Sequence, residues 1–164
     1  RQLHARRRRV HRFLRTHGTA CIQLVDSWES SIDVVAEVTA RWTAEHPDRA
    51  VVAAEELAAI SHMLDVGPQE SDWLCHAVFL GGRPVAYQIS ERVGSTWAVA
   101  HFAKSASDES DATVALEHHV ASWLHERGVR WWNVEQDLGL AGLREHKSSW
   151  KPSRMLRKFE ATIT

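Results

Sequence analysis

The sequence predicts an α/β (α+β) protein with a mixed, mostly antiparallel central sheet flanked by helices. Apolar residues recur at helical spacing as far as Leu64, and from Trp73 onward they alternate as in strands. The Gly81-Gly82 and Gly94-Ser95 turns divide the alternating region into three stretches, a pattern typical of an antiparallel meander. A helical stretch and a further strand that begins at Trp131 come next. Helices are therefore expected both before and after the meander along the chain.

Turn and capping residues set the expected limits of each element. Gly18 and Gly128 are natural helix stops, Asp26 or Ser27 could cap the second helix, and Pro47 ends it. That second helix should bury Ile32, Val35, Val38 and Trp42. The expected helices are 1–17, 31–45, 52–64 and 112–127, with a helical turn from 143, and the expected strands are 21–25, 73–80, 84–91, 97–102, 131–137 and 155–163.

Length and composition favour one domain with a substantial core. The chain has 164 residues and a formal net charge of -1. Cys21 and Cys75 are its two cysteines, so neither a disulfide scaffold nor a zinc-thiolate site is indicated, and a cytoplasmic location is expected. No apolar run approaches the ~20 residues of a membrane span, and no signal peptide is evident. The chain begins without Met, which suggests a fragment of a longer protein.

The N-terminal stretch 1–17 is strongly basic. Leu3, Val10, Phe13 and Leu14 give it a thin apolar stripe, and arginines fill most of the other positions. Arginine pairs bidentately with phosphate, so one interpretation of the run is a contact with the phosphate backbone of RNA. The alternative is a solvated helix whose arginines cover acidic surface elsewhere.

The most informative stretch lies between residues 131 and 152. As a strand, it would project Asn133, Glu135 and Asp137 to one face. A helical turn after Gly139 would then place Arg144 and Lys147 on a common side. Two carboxylates and two cations in one place could form an acyl-transfer site. Arg144 could instead be paired with Glu135 or Asp137 in an internal ion pair.

The order of elements resembles the N-acyltransferase domain of the GNAT superfamily, in which an opening between two central strands holds the acyl donor. The motifs HFAK at 101–104, NVEQDLG at 133–139 and LREHKSSWKP at 143–152 resemble the C-terminal domain family of phosphatidylglycerol lysyltransferases. The basic start RRRRVHRF at 6–13 resembles the same family's first helix. The resemblance implies that 18–164 form a single GNAT-like domain. It also implies that 1–17 are a basic leading helix, the possible remnant of a linker from a missing N-terminal GNAT domain.

The resemblance implies an aminoacyltransferase that takes an aminoacyl group from an aminoacyl-tRNA to an amine or hydroxyl of a small acceptor. Such a reaction needs proton removal and stabilisation of an oxyanion. Asp137 or Glu135 could deprotonate the acceptor or hold the donor's ammonium, and Lys147 or Arg144 could stabilise the oxyanion or grip the terminal phosphate. The further candidates are Glu117 and His118 as catalytic groups, Asn133, His101 and Lys104 as substrate-binding groups, and Arg6, Arg7, Arg8, Arg9 and Arg12 as tRNA-binding groups.

Donor, cofactor and acceptor follow from the same comparison. Acetyl-CoA-dependent members bind pyrophosphate at a glycine-containing loop before a helix. The corresponding stretch 104–111 has no glycine and three acidic residues, so no cofactor besides the aminoacyl-tRNA is expected, and no metal is implied. The lack of a membrane segment makes a small-molecule acceptor more plausible than a lipid. An acetyl-CoA-dependent N-acetyltransferase and a non-catalytic RNA-binding module remain the alternatives.

Overall fold

The computed structural model describes residues 2–66, 72–106 and 110–156. Its helices are α1 (Gln2–His17), α2 (Trp28–Glu45), α3 (Ala50–Val66), α4 (Ser110–Glu126) and α5 (Ala141–Ser149), and its strands are β1 (Ile22–Leu24), β2 (Asp72–Leu80), β3 (Arg83–Val93), β4 (Trp97–Ser105) and β5 (Trp131–Asn133). None of the described helices is long and apolar enough to cross a membrane.

The five strands form one sheet in the order β1-β2-β3-β4-β5. Neighbours from β1 to β4 are antiparallel, and β5 pairs with β4 in parallel after the crossover through α4. Parallel neighbours in a sheet need a crossover connection of this kind, and α4 supplies it here. The predicted fold class, a mixed and mostly antiparallel sheet flanked by helices, is confirmed.

Alternate strand residues bury two separate apolar clusters, one on each face of the sheet. On one face Cys75, Ala77 and Ile89 pack with residues of α2 and α3, including Val35 and Ile60. On the other face the partners of the sheet come from α1 and α4, and the cluster includes Phe13, Ile22, Val78, Ala86, Ala98, Val120 and Leu124.

Helix α1 takes part in this core. Val10 and Phe13 are buried, and Phe13 belongs to the cluster that α4 forms on the sheet. The part of the apolar stripe formed by Val10, Phe13 and Leu14 is therefore a packing face, and α1 is built into the domain that follows it. Their origin as a linker from an upstream domain stays a prediction.

Two predicted details of the fold outside the 131–137 stretch differ from the structure. Helix α2 begins at Trp28 and buries Ser31, Val34, Val35, Val38 and Thr39, whereas Ile32 and Trp42 are half-buried. The helix starts one turn earlier because Ser27 caps it. Met155 and Leu156 are exposed and outside any strand, and the remainder of the predicted strand 155–163 lies outside the described residues.

Replacing Ser27 by alanine should lower the free energy of unfolding by about 1 kcal/mol. The Ser27 hydroxyl accepts a hydrogen bond from the Ser30 backbone N–H at 3.1 Å, which satisfies a donor that has no partner inside the helix. Urea unfolding measures the loss, and Asp26→Ala, one residue earlier, is the matched control expected to change stability by less than about 0.5 kcal/mol. Equal losses in both variants would contradict the assignment of the cap.

Candidate active site

The two parallel strands diverge at the C-terminal end of β5. Trp97, Ala98 and Val99 pair with Trp131, Trp132 and Asn133, after which β4 continues to Ser105 paired with β3 but no longer with β5. The predicted strand 131–137 is therefore wrong beyond Asn133. The Asn133 side-chain oxygen accepts a hydrogen bond from the Glu135 N–H at 2.9 Å, and Glu135 has a φ of 58°. An asparagine side chain that binds the backbone two residues later turns the chain out of a strand.

Beyond the last β4–β5 pair, β4 and the loop that follows β5 border the region called the opening below. His101 of β4 lies there and is bound by two carboxylates. Its Nε2 lies 2.9 Å from Glu91 Oε2, and its Nδ1 lies 3.2 Å from Glu135 Oε1. The imidazole ring also packs on Trp73, with ring centroids 4.7 Å apart. A register shift in the β3–β4 pairing occurs beside this residue. Glu135 thus spans the opening from the β5 side to the β4 side.

Glu91 was not among the predicted site residues. It lies on β3, the strand next to β4, and it contacts His101 beside the register shift in the pairing of these two strands. A charged residue near the end of a largely buried strand was the available signal. Its partner could not be read from the sequence because a bulge changes which side chains meet.

Lys147 projects from α5 into the loop that follows β5. Its Nζ donates to Gln136 O at 2.6 Å and also to Val134 O. Burial lowers the pKa of Lys147, while the nearby carboxylates of Glu135, Asp137 and Glu117 oppose that shift. The structure therefore brings a half-buried cation and the carboxylate of Glu135 to the same loop.

Asp137 and Arg144 form an ion pair at the surface. Arg144 Nε lies 2.6 Å from Asp137 Oδ2, and the Gly139 N–H donates to Asp137 Oδ1 at 2.9 Å. The hydrogen bond from Arg144 lowers the pKa of Asp137, and the Gly139 N–H adds to that effect. The ion pair of Arg144 with Asp137, which the sequence offered as an alternative to a catalytic role, is therefore observed. It lies at the surface rather than inside the protein, because the Arg144 side chain is mostly exposed.

A second polar cluster surrounds Glu117 on α4. His146 Nε2 lies 2.6 Å from Glu117 Oε1, and the Trp150 indole N–H donates to Glu117 Oε2 at 3.1 Å. Arg6 Nη1 lies 3.5 Å from the same oxygen. His146, which was not predicted as a site residue, was visible only as part of the 143–152 motif.

Two candidates lie apart from these clusters. Lys104 pairs with Glu56 at 3.0 Å and lies 4.3 Å from the centroid of the Trp42 ring, so α2 and α3 enclose it. His118 is exposed on α4, while its neighbour His119 is half-buried beneath that helix. The structure does not bring Lys104 or His118 to His101 and Lys147, and their predicted roles stay predictions.

The five predicted tRNA-binding arginines of α1 divide into three groups. Arg6 is only 7% exposed, and its guanidinium binds Ser149 and His146 inside the protein. Arg9 Nε and Arg12 Nε both bind Asp111, at 2.6 Å and 2.9 Å, so part of the run covers an acidic residue. Arg7 and Arg8 are exposed. Because Arg6 faces inward, its predicted contact with tRNA does not fit its position, and the contact of the other four stays a prediction.

No cluster of three or more His, Cys, Asp or Glu side chains within residues 2–66, 72–106 and 110–156 is arranged to hold a metal ion. The site that these ranges contain is instead built from carboxylates, one lysine and histidines.

The family described as phosphatidylglycerol lysyltransferase, C-terminal, matches residues 1–162 of this chain. The chain belongs to this family. No curated protein matches the sequence. The family is of an acyltransferase type, and the predicted membership is confirmed.

Solved structures show the same fold at low sequence identity. A conserved protein of unknown function from Bacteroides thetaiotaomicron VPI-5482 has a TM-score of 0.74 and 17% identity over 94% of this chain and 51% of its own. The C-terminal domain of a protein provisionally described as a lysylphosphatidylglycerol synthetase from Agrobacterium fabrum has a TM-score of 0.61 and 13% identity over 93% and 51%. A ribosomal-protein-alanine N-acetyltransferase from Brucella melitensis biovar Abortus 2308 has a TM-score of 0.60 and 13% identity over 87% and 98%.

These structures confirm a GNAT-type acyltransferase fold. The chain spans about half the length of the first two, at 51% of each, and nearly all of the third, at 98%.

Proposed function

We propose that this domain transfers an aminoacyl group from an aminoacyl-tRNA to an amine or hydroxyl of a small-molecule acceptor. The observation that carries the proposal is the meeting of Glu135, His101 and Lys147 where β4 and β5 diverge, in a chain of the lysyltransferase family. Fold alone would support only acyl transfer in general.

The reaction is an attack on the ester carbonyl that joins the aminoacyl group to the tRNA. The acceptor nitrogen or oxygen forms the new bond to that carbon, the ester bond breaks, and the tRNA hydroxyl leaves with a proton. In this proposal Glu135, whose Oε1 lies 3.2 Å from His101 Nδ1, takes the proton of the acceptor. Asp137 is less suited to this role because its carboxylate is occupied by Arg144 and by the Gly139 N–H.

Lys147 supplies positive charge for the oxyanion that forms on the carbonyl. Its Nζ carries three N–H donors, and two of them bind Val134 O and Gln136 O. The two carbonyl contacts hold the ammonium at the opening and leave one donor for the substrate. Arg7 and Arg8, exposed on α1, are suited to the tRNA backbone.

The first turn of α4 argues against acetyl-CoA as the donor. In CoA-dependent relatives the pyrophosphate binds at the N-terminus of this helix. Here Asp111 occupies the first turn and is held there by Arg9 and Arg12. A carboxylate at this place interacts favourably with the positive end of the helix dipole, but it repels a pyrophosphate.

The test is to incubate the protein with a pool of charged tRNAs and candidate amine and hydroxyl acceptors. We expect one class of charged tRNA to be discharged, with the amino acid recovered on an acceptor rather than in water. Unchanged tRNA charging in every mixture would refute the proposal, as would stabilisation by acetyl-CoA, which at a hundredfold over its Kd adds about 2.7 kcal/mol. Salt-dependent tRNA binding with no transfer would support the RNA-binding alternative instead.

A further inference from the structure

Helix α5, which carries Lys147, is held by polar contacts rather than by an apolar face. None of its nine residues is buried, and so short a helix is only marginally stable in water by itself. On the side of the loop it is attached through Arg144 to Asp137 and through Lys147 to Gln136 O. The position of its other end must come from a different partner.

Arg6 is that partner. Its Nε donates to Ser149 Oγ at 2.7 Å and its Nη2 donates to His146 O at 2.8 Å. The guanidinium carbon also lies 4.2 Å from the centroid of the Trp150 ring. The last carbonyls of a helix have no partner within the helix and carry its negative dipole end, so a cation at this place caps it.

Glu117 connects the same end of α5 to α4. Its carboxylate receives Arg6 Nη1 at 3.5 Å, His146 Nε2 at 2.6 Å and the Trp150 indole N–H at 3.1 Å. α1 and α4 therefore share one charged cluster that encloses the C-terminus of α5. The donors of Arg6 are turned inward, and only 7% of the residue is exposed, which excludes it as a free phosphate-binding group.

We propose that Arg6 is a positioning residue which, with Glu117, fixes α5 and thereby holds Lys147 at the opening between β4 and β5. The inference rests on the proposed function for its effect on catalysis, but its structural part does not. It also explains why one arginine of a basic run is buried while its neighbour Arg7 is exposed.

The structural part is tested by amide hydrogen exchange on Arg6→Met, with Arg7→Met as the matched control on the same helix. Methionine keeps an apolar stem of similar length and removes the fork of donors. We expect the amides of α5 to exchange about tenfold faster or more in Arg6→Met and at the original rate in Arg7→Met, while α2 and α3 stay protected in both. Unchanged exchange in α5, or equal acceleration in all helices, would overturn the proposal.

The catalytic part is tested by kinetics in two backgrounds. Arg6→Met should lower kcat by about tenfold or more and leave KM for the charged tRNA within about twofold, because misplacement affects the reacting groups more than binding. In a Lys147→Met background it should lower kcat no further, since both changes act through Lys147. Independent, multiplicative losses, or a raised KM with unchanged kcat, would overturn the assignment.

The two measurements can refute the proposed function and the positioning role of Arg6 independently of each other. If the wild-type protein discharges no tRNA, the proposed function is refuted, yet exchange still decides whether Arg6 holds α5. If tRNA is discharged and exchange in α5 does not respond to Arg6→Met, the proposed function stands and the positioning role is refuted. Arg6→Lys is a third variant for the exchange measurement. It keeps the positive charge but loses the forked contacts of the guanidinium, so the amides of α5 should exchange faster than in the original protein, as in Arg6→Met.

Discussion

Replacing Lys147 by methionine is expected to lower the rate of the proposed aminoacyl transfer about a hundredfold or more. Removing one donor that stabilises an oxyanion typically costs this much, and Lys147 also holds Val134 O and Gln136 O in the loop that presents Glu135. The free energy of unfolding should change by only about 1 kcal/mol, because water can replace the ammonium at a half-exposed loop. Single-turnover discharge of the charged tRNA and urea unfolding measure the two quantities.

Arg144→Met is the matched control for Lys147→Met, because it removes a cation from the same helix three residues away. Its side chain is mostly exposed and pairs with Asp137 at the surface, so we expect a loss of less than about tenfold. Full turnover by Lys147→Met would refute the catalytic role of Lys147. Equal losses of rate in the two variants would show that the loop needs both cations for its structure and that Lys147 has no separate catalytic role.

The main features of the fold could be predicted because they depend on local signals. The Gly81-Gly82 turn and the alternation around it define the β2–β3 hairpin, and Ser27 defines the start of α2. The apolar stripe of the basic stretch correctly marked a helix, and Phe13 shows that this stripe packs in the core. Each of these signals lies within a few residues of the structure that it determines.

The candidate site was predicted less completely because its geometry depends on distant partners. The alternation of Asn133, Glu135 and Asp137 suggested one face of a strand, but the Asn133 side chain binds the Glu135 N–H and ends the strand. Glu135 still reaches the site, through His101. Nothing local distinguishes Arg6 from Arg7, since the burial of Arg6 depends on contacts to Ser149, far along the chain.

The stability of the protein should fall by about 2 kcal/mol between about pH 7.5 and about pH 5 because of His76 alone. His76 on β2 is 0% exposed, and within the described part of the chain neither of its ring nitrogens has a hydrogen-bond partner. Burial, together with smaller effects of His119 and Arg127, lowers the pKa of His76 from 6.5 to about 4. Urea unfolding at the two pH values measures the loss.

The sign of this effect follows from the depressed pKa. Above about 6.5 the residue is neutral in both states, so its contribution to stability is complete. As the pH falls from 6.5 towards 4, the unfolded chain binds a proton that the folded chain excludes, and unfolding is favoured. The groups that face His76 do not offset this. His119 and Trp123 of α4 have ring centroids 5.8 Å and 5.1 Å away, and Gln88 of β3 is its neighbour in the sheet.

His76→Leu isolates this contribution from that of the other titrating groups. Leucine is of similar size and leaves no buried nitrogen, so stability near pH 7.5 should stay within about 1 kcal/mol of the original. The difference between the two pH values should shrink by about 2 kcal/mol in this variant. His118→Leu, which changes an exposed histidine of α4, should keep the full difference. An unchanged pH dependence in His76→Leu would mean that the imidazole is solvated or paired in solution, and acid stability would then have to be assigned to other groups.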